Sequence, residues 1–179
     1  MKKKCISILF MAVGIVLIIL GITHYDFSCN SELCMDLFGC EPQEFLDYEF
    51  EYDELNDLRK RARIDKNGDL LIPFSKRREK ALLESEWLKS VHDDYSEYSI
   101  YVNSDLKMIT VYNSSAKGDE YFDEQTRILN NILTKIHFIN FLNRDTTQSV
   151  TIVEISMDTQ EEISRFDVPY GEKVIKVTE

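Results

Sequence analysis

The chain has 179 residues and a formal charge of −11, a length that suits one ordinary domain with an appendage. Three lysines sit at the extreme N-terminus, so residues 30–179 carry −13. Contacts from Lys and Arg to phosphate dominate nucleic-acid affinity, which excludes so acidic a domain as a general DNA or RNA binder and favours a cationic partner or a divalent ion.

Lys2, Lys3 and Lys4 precede an uncharged, mostly apolar run from Cys5 to Thr23. About 19 residues of helix span about 28 Å, close to the thickness of a bilayer core. A secretory signal has the same order of features, but its apolar region is usually about 7–15 residues long and ends at a small-residue site. The exit "GITHYDFS" has no such site. Residues 1–24 are therefore expected to be a transmembrane anchor or uncleaved signal, with the N-terminus cytoplasmic and everything after Tyr25 outside. Cleavage after Gly21, giving a secreted protein, is the first rival. Lipidation at Cys29 is the second, and Asp26-Phe27-Ser28 fits a lipoprotein box badly. Gly14 and Gly21 are not at G-x-x-x-G spacing, so the run has no evident pairing motif.

Residues 25–41 read as a cysteine-containing juxtamembrane segment. Cys29, Cys34 and Cys40 lie in it, whereas Cys5 falls inside the apolar run as a small filler. In an oxidising compartment the three permit one disulfide and leave one thiol free for an intermolecular bond. Spacing does not choose among the three pairings, although Cys34–Cys40 or Cys29–Cys40 would staple a short loop. A zinc site is disfavoured, because C-x4-C-x5-C lacks a C-x-x-C pair and only His24 is near.

Residues 42–179 are expected to form an α+β domain outside the membrane, with a helix over 42–63 packed on it. Pro42 suits a first helical position. Phe45, Tyr48, Tyr52, Leu55 and Ala62 then fall on one helical face, with acids early and Arg59, Lys60, Arg61 and Arg63 late, as the macrodipole prefers. A strand in "YEFEY" is the competing pattern. Asn67-Gly68 predicts a type I′ hairpin turn between "ARI" and "DLLIPF". Asp65, Asn67 and Asp69 alternate as calcium ligands do, but counting from Asp65 puts Leu70 where an EF-hand loop needs glycine and Lys76 where it needs a bidentate Glu. The turn reading is preferred. A second helix starts with Ser75 as N-cap, and Leu83, Trp87, Leu88 and Val91 give it an apolar stripe to about His92.

"YSIYV" and "LKMITVY" read as antiparallel strands joined by "NSD". Asp119 to Asn143 is the clearest amphipathic helix, with Phe122, Ile128, Leu129, Ile132, Leu133, Ile136, Ile139 and Leu142 on one side. "SVTIVEISM" is apolar on both faces and so expected to be a central strand. "EISRFDV" pairs with it, and "KVIKV" offers a last strand. The order approaches the βαββαβ arrangement of ferredoxin-like folds with an extra strand, an antiparallel-dominated sheet with helices on one face. That arrangement carries no functional warrant by itself.

Chemistry is sparse. His92, Asp93 and Asp94 could serve a metal-assisted hydrolase, but a solvated helix end explains them as well. His137 adjoins the long apolar stripe and reads as structural. No nucleophile-elbow, zincin, Walker or dinucleotide motif occurs. "NSS" at Asn113 is a glycosylation acceptor only in a eukaryotic secretory route. The basic residues Arg59, Arg61, Arg63, Lys76, Arg77 and Arg78 flank the hairpin, which would bring them together as an anion or partner site, unless the acids of 44–57 neutralise them. The sequence thus favours a membrane-anchored, extracytoplasmic, non-catalytic binding or accessory module of a bacterial cell surface. No cofactor or metal is expected, and the expected partner is a protein or an anionic surface component. A secreted protein binding a small ligand or cation is the alternative.

Overall fold

A computed structural model describes residues 24–174. It is a mixed α+β structure that divides into two compact units at Leu82/Leu83. The expected anchor falls on residues that lie outside the described ones, apart from His24. Among the described residues no helix is long and apolar enough to cross a membrane.

The first unit holds an antiparallel sheet of order β1-β3-β2, from His24–Cys29 (β1), Arg63–Ile64 (β2) and Leu70–Ser75 (β3). Three helices intervene, Ser31–Phe38 (α1), Pro42–Asp47 (α2) and Asp53–Arg59 (α3), and Lys76–Leu83 (α4) follows β3 directly. Alternation places Leu70, Ile72 and Phe74 of β3 inward. The register sets Cys29, Phe27 and Tyr25 of β1 opposite those three residues. Tyr25 stacks on Phe74 at 5.6 Å between ring centroids. Pro73 is tolerated in this central strand because β2 pairs only as far as Leu71, and Arg78 Nη1 donates to the Pro73 carbonyl at 2.8 Å.

The continuous helix expected over 42–63 is broken. Pro42 does open a helix, but Tyr48 to Tyr52 leave it, since only Phe50 of "YEFEY" is buried while Tyr48 is exposed. Asn56 then holds Phe50 as a strand partner would, accepting from its N–H at 3.0 Å and donating to its carbonyl at 2.7 Å. That amide pairing and the Phe45–Phe50 ring contact outweigh helical continuity. The segment 25–41 is strand and helix within this unit, with Cys29, Cys34 and Cys40 all buried.

The second unit holds a four-stranded sheet of order β4-β5-β6-β7, from Ile100–Val102, Met108–Asn113, Val150–Ser156 and Glu162–Val168. Before it come a short helix Glu86–Lys89 (α5), capped by Ser85, and two 3-10 turns. The single helix expected from Ser75 to His92 is therefore interrupted, because the Ser85 hydroxyl takes the Leu88 N–H and starts a new helix. The long helix α6 spans Asp119–Leu142 and buries Leu129, Ile132, Leu133 and Ile136 against Ile109, Val111, Val150 and Ile152. It is the crossover between β5 and β6, which run parallel, while β4–β5 and β6–β7 are antiparallel.

Two sheets replace the single ferredoxin-like sheet expected. The hairpin strands β2 and β3 found a third partner in β1, a segment the sequence presented as a membrane exit. The central position of β6 and its pairing with "EISRFDV" agree with the sequence. Lys173 and Val174 are not in a strand; the rest of "KVIKV" lies outside the described residues. Instead, Asn130 of α6 receives the Val174 N–H and donates to its carbonyl, both at 2.9 Å.

Candidate functional site

The hairpin forms, though not with a type I′ turn. Only Gly68 has positive φ, at +90°, and Asn67 does not. Asp65 organises the loop: its Oδ1 accepts from Asn67 N at 2.7 Å and Asp69 N at 3.0 Å, while its own N–H donates to the Asp69 carbonyl. The carboxylate that resembled a calcium ligand is thus engaged by backbone amides. Among the described residues no group of three or more His, Cys, Asp and Glu side chains could hold a metal.

The two basic runs do approach one another, and acids meet them. Asp57 lies 3.6 Å from Arg61 Nε and 3.9 Å from Arg78 Nε. Arg63 pairs with Asp26 at 2.6 Å across the sheet, and Arg59 donates to the Tyr48 carbonyl at 2.9 Å. Lys76 and Arg77 are exposed at the start of α4. Four of the six candidate cations are therefore committed within the unit, three in ion pairs that solvent screens and Arg59 to a backbone carbonyl.

The three cysteines converge as spacing alone does not reveal. Cys29 ends β1, Asn30 caps α1 through its side chain to Leu33 N, and Cys34 faces inward one turn later. Gly39, with φ of +75°, ends the helix in a left-handed turn that returns Cys40 to the same interior. The three thiols influence one another: the neighbouring Cys29 thiol chiefly holds Cys34 below the usual thiol range despite burial. Its Cys34 neighbour, together with burial, pushes the Cys29 thiol far up. Burial first, then the charge on Cys34, pushes Cys40 up to about 12. All three are free thiols in this structure.

His92, Asp93 and Asp94 sit in an exposed turn, where Asp94 accepts from Ser96 N at 2.9 Å, so the turn converges on no ligand set. Nearby, Lys135 Nζ donates to Ser90 Oγ at 2.8 Å, and burial lowers its affinity for a proton. The Ser90 hydroxyl donates to the Trp87 carbonyl at 2.6 Å, which commits its proton to holding the turn.

The sequence did not single out the open face of the second sheet. Alternation turns Ile109 and Val111 to the core, leaving Thr110 and Tyr112 on the other face beside Tyr101, which pairs with Thr110. Ser99, Tyr101, Thr110, Tyr112, Met157 and Gln160 line an open groove there of about 320 Å³. Tyr101 is 51% exposed, and its ring meets Tyr112 edge to face at 5.5 Å and 89°. Two rim residues, Ser99 and Gln160, have φ of +56° and +60°, a left-handed conformation unusual outside glycine; Ser99 ends the 3-10 turn before β4 and Gln160 lies in the turn between β6 and β7. Gln160 is held by bonds to the Ser156 and Met157 carbonyls, each 2.8 Å. No lining residue is charged. The signal in the sequence was the pair of tyrosines alternating with apolar residues in "SIYV" and "ITVY".

Two buried polar residues also escaped notice. Gln125 is fully buried on α6 and donates to the Tyr98 and Tyr112 carbonyls at 2.7 and 3.4 Å. Glu154 is fully buried in β6, where Ser164 Oγ donates to it at 2.6 Å. In comparisons with protein-family models, curated proteins and solved structures, none matches the chain.

Proposed function

We propose that the chain is a membrane-anchored, extracytoplasmic, non-catalytic binding module that holds a neutral saccharide in the tyrosine-lined groove of its second unit. The single observation carrying this reading is the groove itself. Its volume of about 320 Å³ lies at the small end of ligand sites, and aromatic rings with a few polar groups are the usual lining. A pyranose ring offers an apolar C–H face to a tyrosine and hydroxyls to Ser99, Thr110 and Gln160. The uncharged lining gives an anionic or cationic ligand no counter-charge. Support for the anchor is the apolar run Cys5 to Thr23 behind three lysines.

Calorimetric titration of the full chain in detergent micelles with chitotetraose, a neutral amino-sugar oligomer, tests the groove. Saturable binding is expected, with Tyr101→Ala and Tyr112→Ala each weakening it about tenfold or more. Absence of binding, or affinity unchanged in both variants, overturns the proposal. Carbonate extraction tests the anchor separately: the chain should stay in the membrane pellet with Met1 retained.

A further inference from the structure

Among the described residues β7 is an edge of the second sheet, paired with β6 alone. Alternate backbone N–H and C=O groups of such a strand point away from the sheet, a template on which a further strand can add. Proline and lysine, which often blunt an edge, are missing from Glu162–Val168. The one register shift lies at the turn end, opposite Glu154/Ile155, so Ser164 to Val168 form a regular ladder. Within that stretch Phe166 pairs with Ile152 and so lies on the face that α6 covers, yet it is 36% exposed. Arg165 and Asp167 pair with Val153 and Thr151 and stand on the opposite, open face.

We propose that β7 pairs antiparallel with the β7 of a second copy about a two-fold axis at Phe166, joining two four-stranded sheets into one. The charge pattern selects both the occupant and the register. Residues opposite one another in an antiparallel ladder share a face, so two identical strands related by a two-fold axis must centre on a residue. Centring on Arg165 sets two guanidinium groups against each other, and centring on Asp167 does the same with two carboxylates. Centring on Phe166 sets Arg165 of each copy opposite Asp167 of the other and brings the two Phe166 rings together. Like charges directly opposite repel and unlike charges attract, so only the Phe166 register is favoured. Arg165 already meets Glu162 of its own strand at 2.7 Å, and Asp167 accepts from Thr151 Oγ1 at 2.7 Å through one oxygen. Both side chains are thereby held on the open face, where the exposed charges set register more than affinity. Backbone pairing and the Phe166 contact supply the attraction.

An axis perpendicular to the joined sheet keeps both open faces on the same side. The two tyrosine-lined grooves then face one way, and a saccharide polymer engaging both gains avidity. That consequence rests on the saccharide reading; the pairing of the strands does not.

Sedimentation of the full chain in density-matched detergent micelles, without saccharide, tests the pairing. The wild type should self-associate, and Arg165→Asp and Asp167→Arg should each weaken association about tenfold or more. An equimolar mixture of the two variants should recover it, because every charge then meets its opposite. A monomeric wild type, single variants that associate like the wild type, or a mixture that fails to recover overturns the proposal. A second arm leaves the charges in place. Opposite residues have Cβ atoms about 4.5–5.5 Å apart, close enough for Phe166→Cys to link to itself between copies under mild oxidation. Ser164→Cys should not link to itself, because it faces Val168 of the second copy. Peptide mass identifies the link. A self-link at position 164 instead of 166, or at neither, overturns the proposal, and this arm decides alone should a charge variant fail to fold.

Discussion

Arg78 reaches the Asp57 carboxylate at 3.9 Å while its Nη1 caps the Pro73 carbonyl at 2.8 Å. One side chain therefore joins α4 to α3 and completes the backbone of a central strand at the position where proline breaks the ladder. With a side chain only 22% exposed, Arg78 differs from Lys76 and Arg77, which are exposed. Arg78→Ala is expected to lower unfolding free energy by about 1–2 kcal/mol, mostly through the unmet carbonyl. Lys76→Ala and Arg77→Ala should change it by less than about 0.5 kcal/mol. Urea denaturation of the three variants measures the contrast, and equal losses would remove the structural role given to Arg78.

Oxidation of the thiol cluster should stabilise the first unit. A disulfide between any two of the three cysteines closes a short loop and restricts the unfolded chain by roughly 2–3 kcal/mol. The check is the denaturation midpoint of the oxidised chain against the chain held in reductant. A midpoint unmoved by reductant in a chain shown to be oxidised would mean that strain cancels the entropic gain.

His137 makes stability fall in mild acid. It is buried, its Nδ1 accepts from Gly171 N at 3.2 Å, and Tyr170 packs on its ring at 5.5 Å. Burial lowers its folded pKa from the ordinary 6.5. Above that value both states are neutral and stability is full. As pH falls below 6.5 the unfolded state takes up the proton first, so stability drops until the folded imidazole titrates as well. The folded form resists because a proton on Nδ1 would displace the Gly171 donor. His137→Asn keeps an acceptor without the titration, so its midpoints at pH 7.5 and pH 5.5 should differ less than those of the wild type. An identical pH slope in both proteins would refute the assignment.

Gln125 bridges the residue chain before β4 to β5 from inside the core. Gln125→Ala leaves the Tyr98 and Tyr112 carbonyls without that amide donor and opens a void, an expected loss of about 2–4 kcal/mol. Gln125→Leu fills the void but not the donors and should recover part of it. Thermal denaturation of both separates packing from hydrogen bonding; equal losses would assign the whole effect to the bonds.

The sequence by itself determined the local elements whose pattern is strong. The helix Asp119–Leu142 shows the predicted stripe, because a 3.6-residue apolar repeat over six turns leaves no other way to bury those side chains. Pro42 opens a helix, Gly68 supports a hairpin, and the doubly apolar β6 takes the centre of its sheet, each for reasons local to the chain. Composition likewise set the acidic charge. Tertiary structure alone decided that β1 completes the first sheet, that strands divide between two sheets, and that β5 and β6 run parallel, because strand pairing joins residues far apart and no local pattern encodes the partner. The candidate sites follow the same division. Tyrosines 101 and 112 and the three cysteines are visible as residues, but only the register gathers the tyrosines into a groove, and only the left-handed turn at Gly39 returns Cys40 to the interior in which Cys29 and Cys34 are buried.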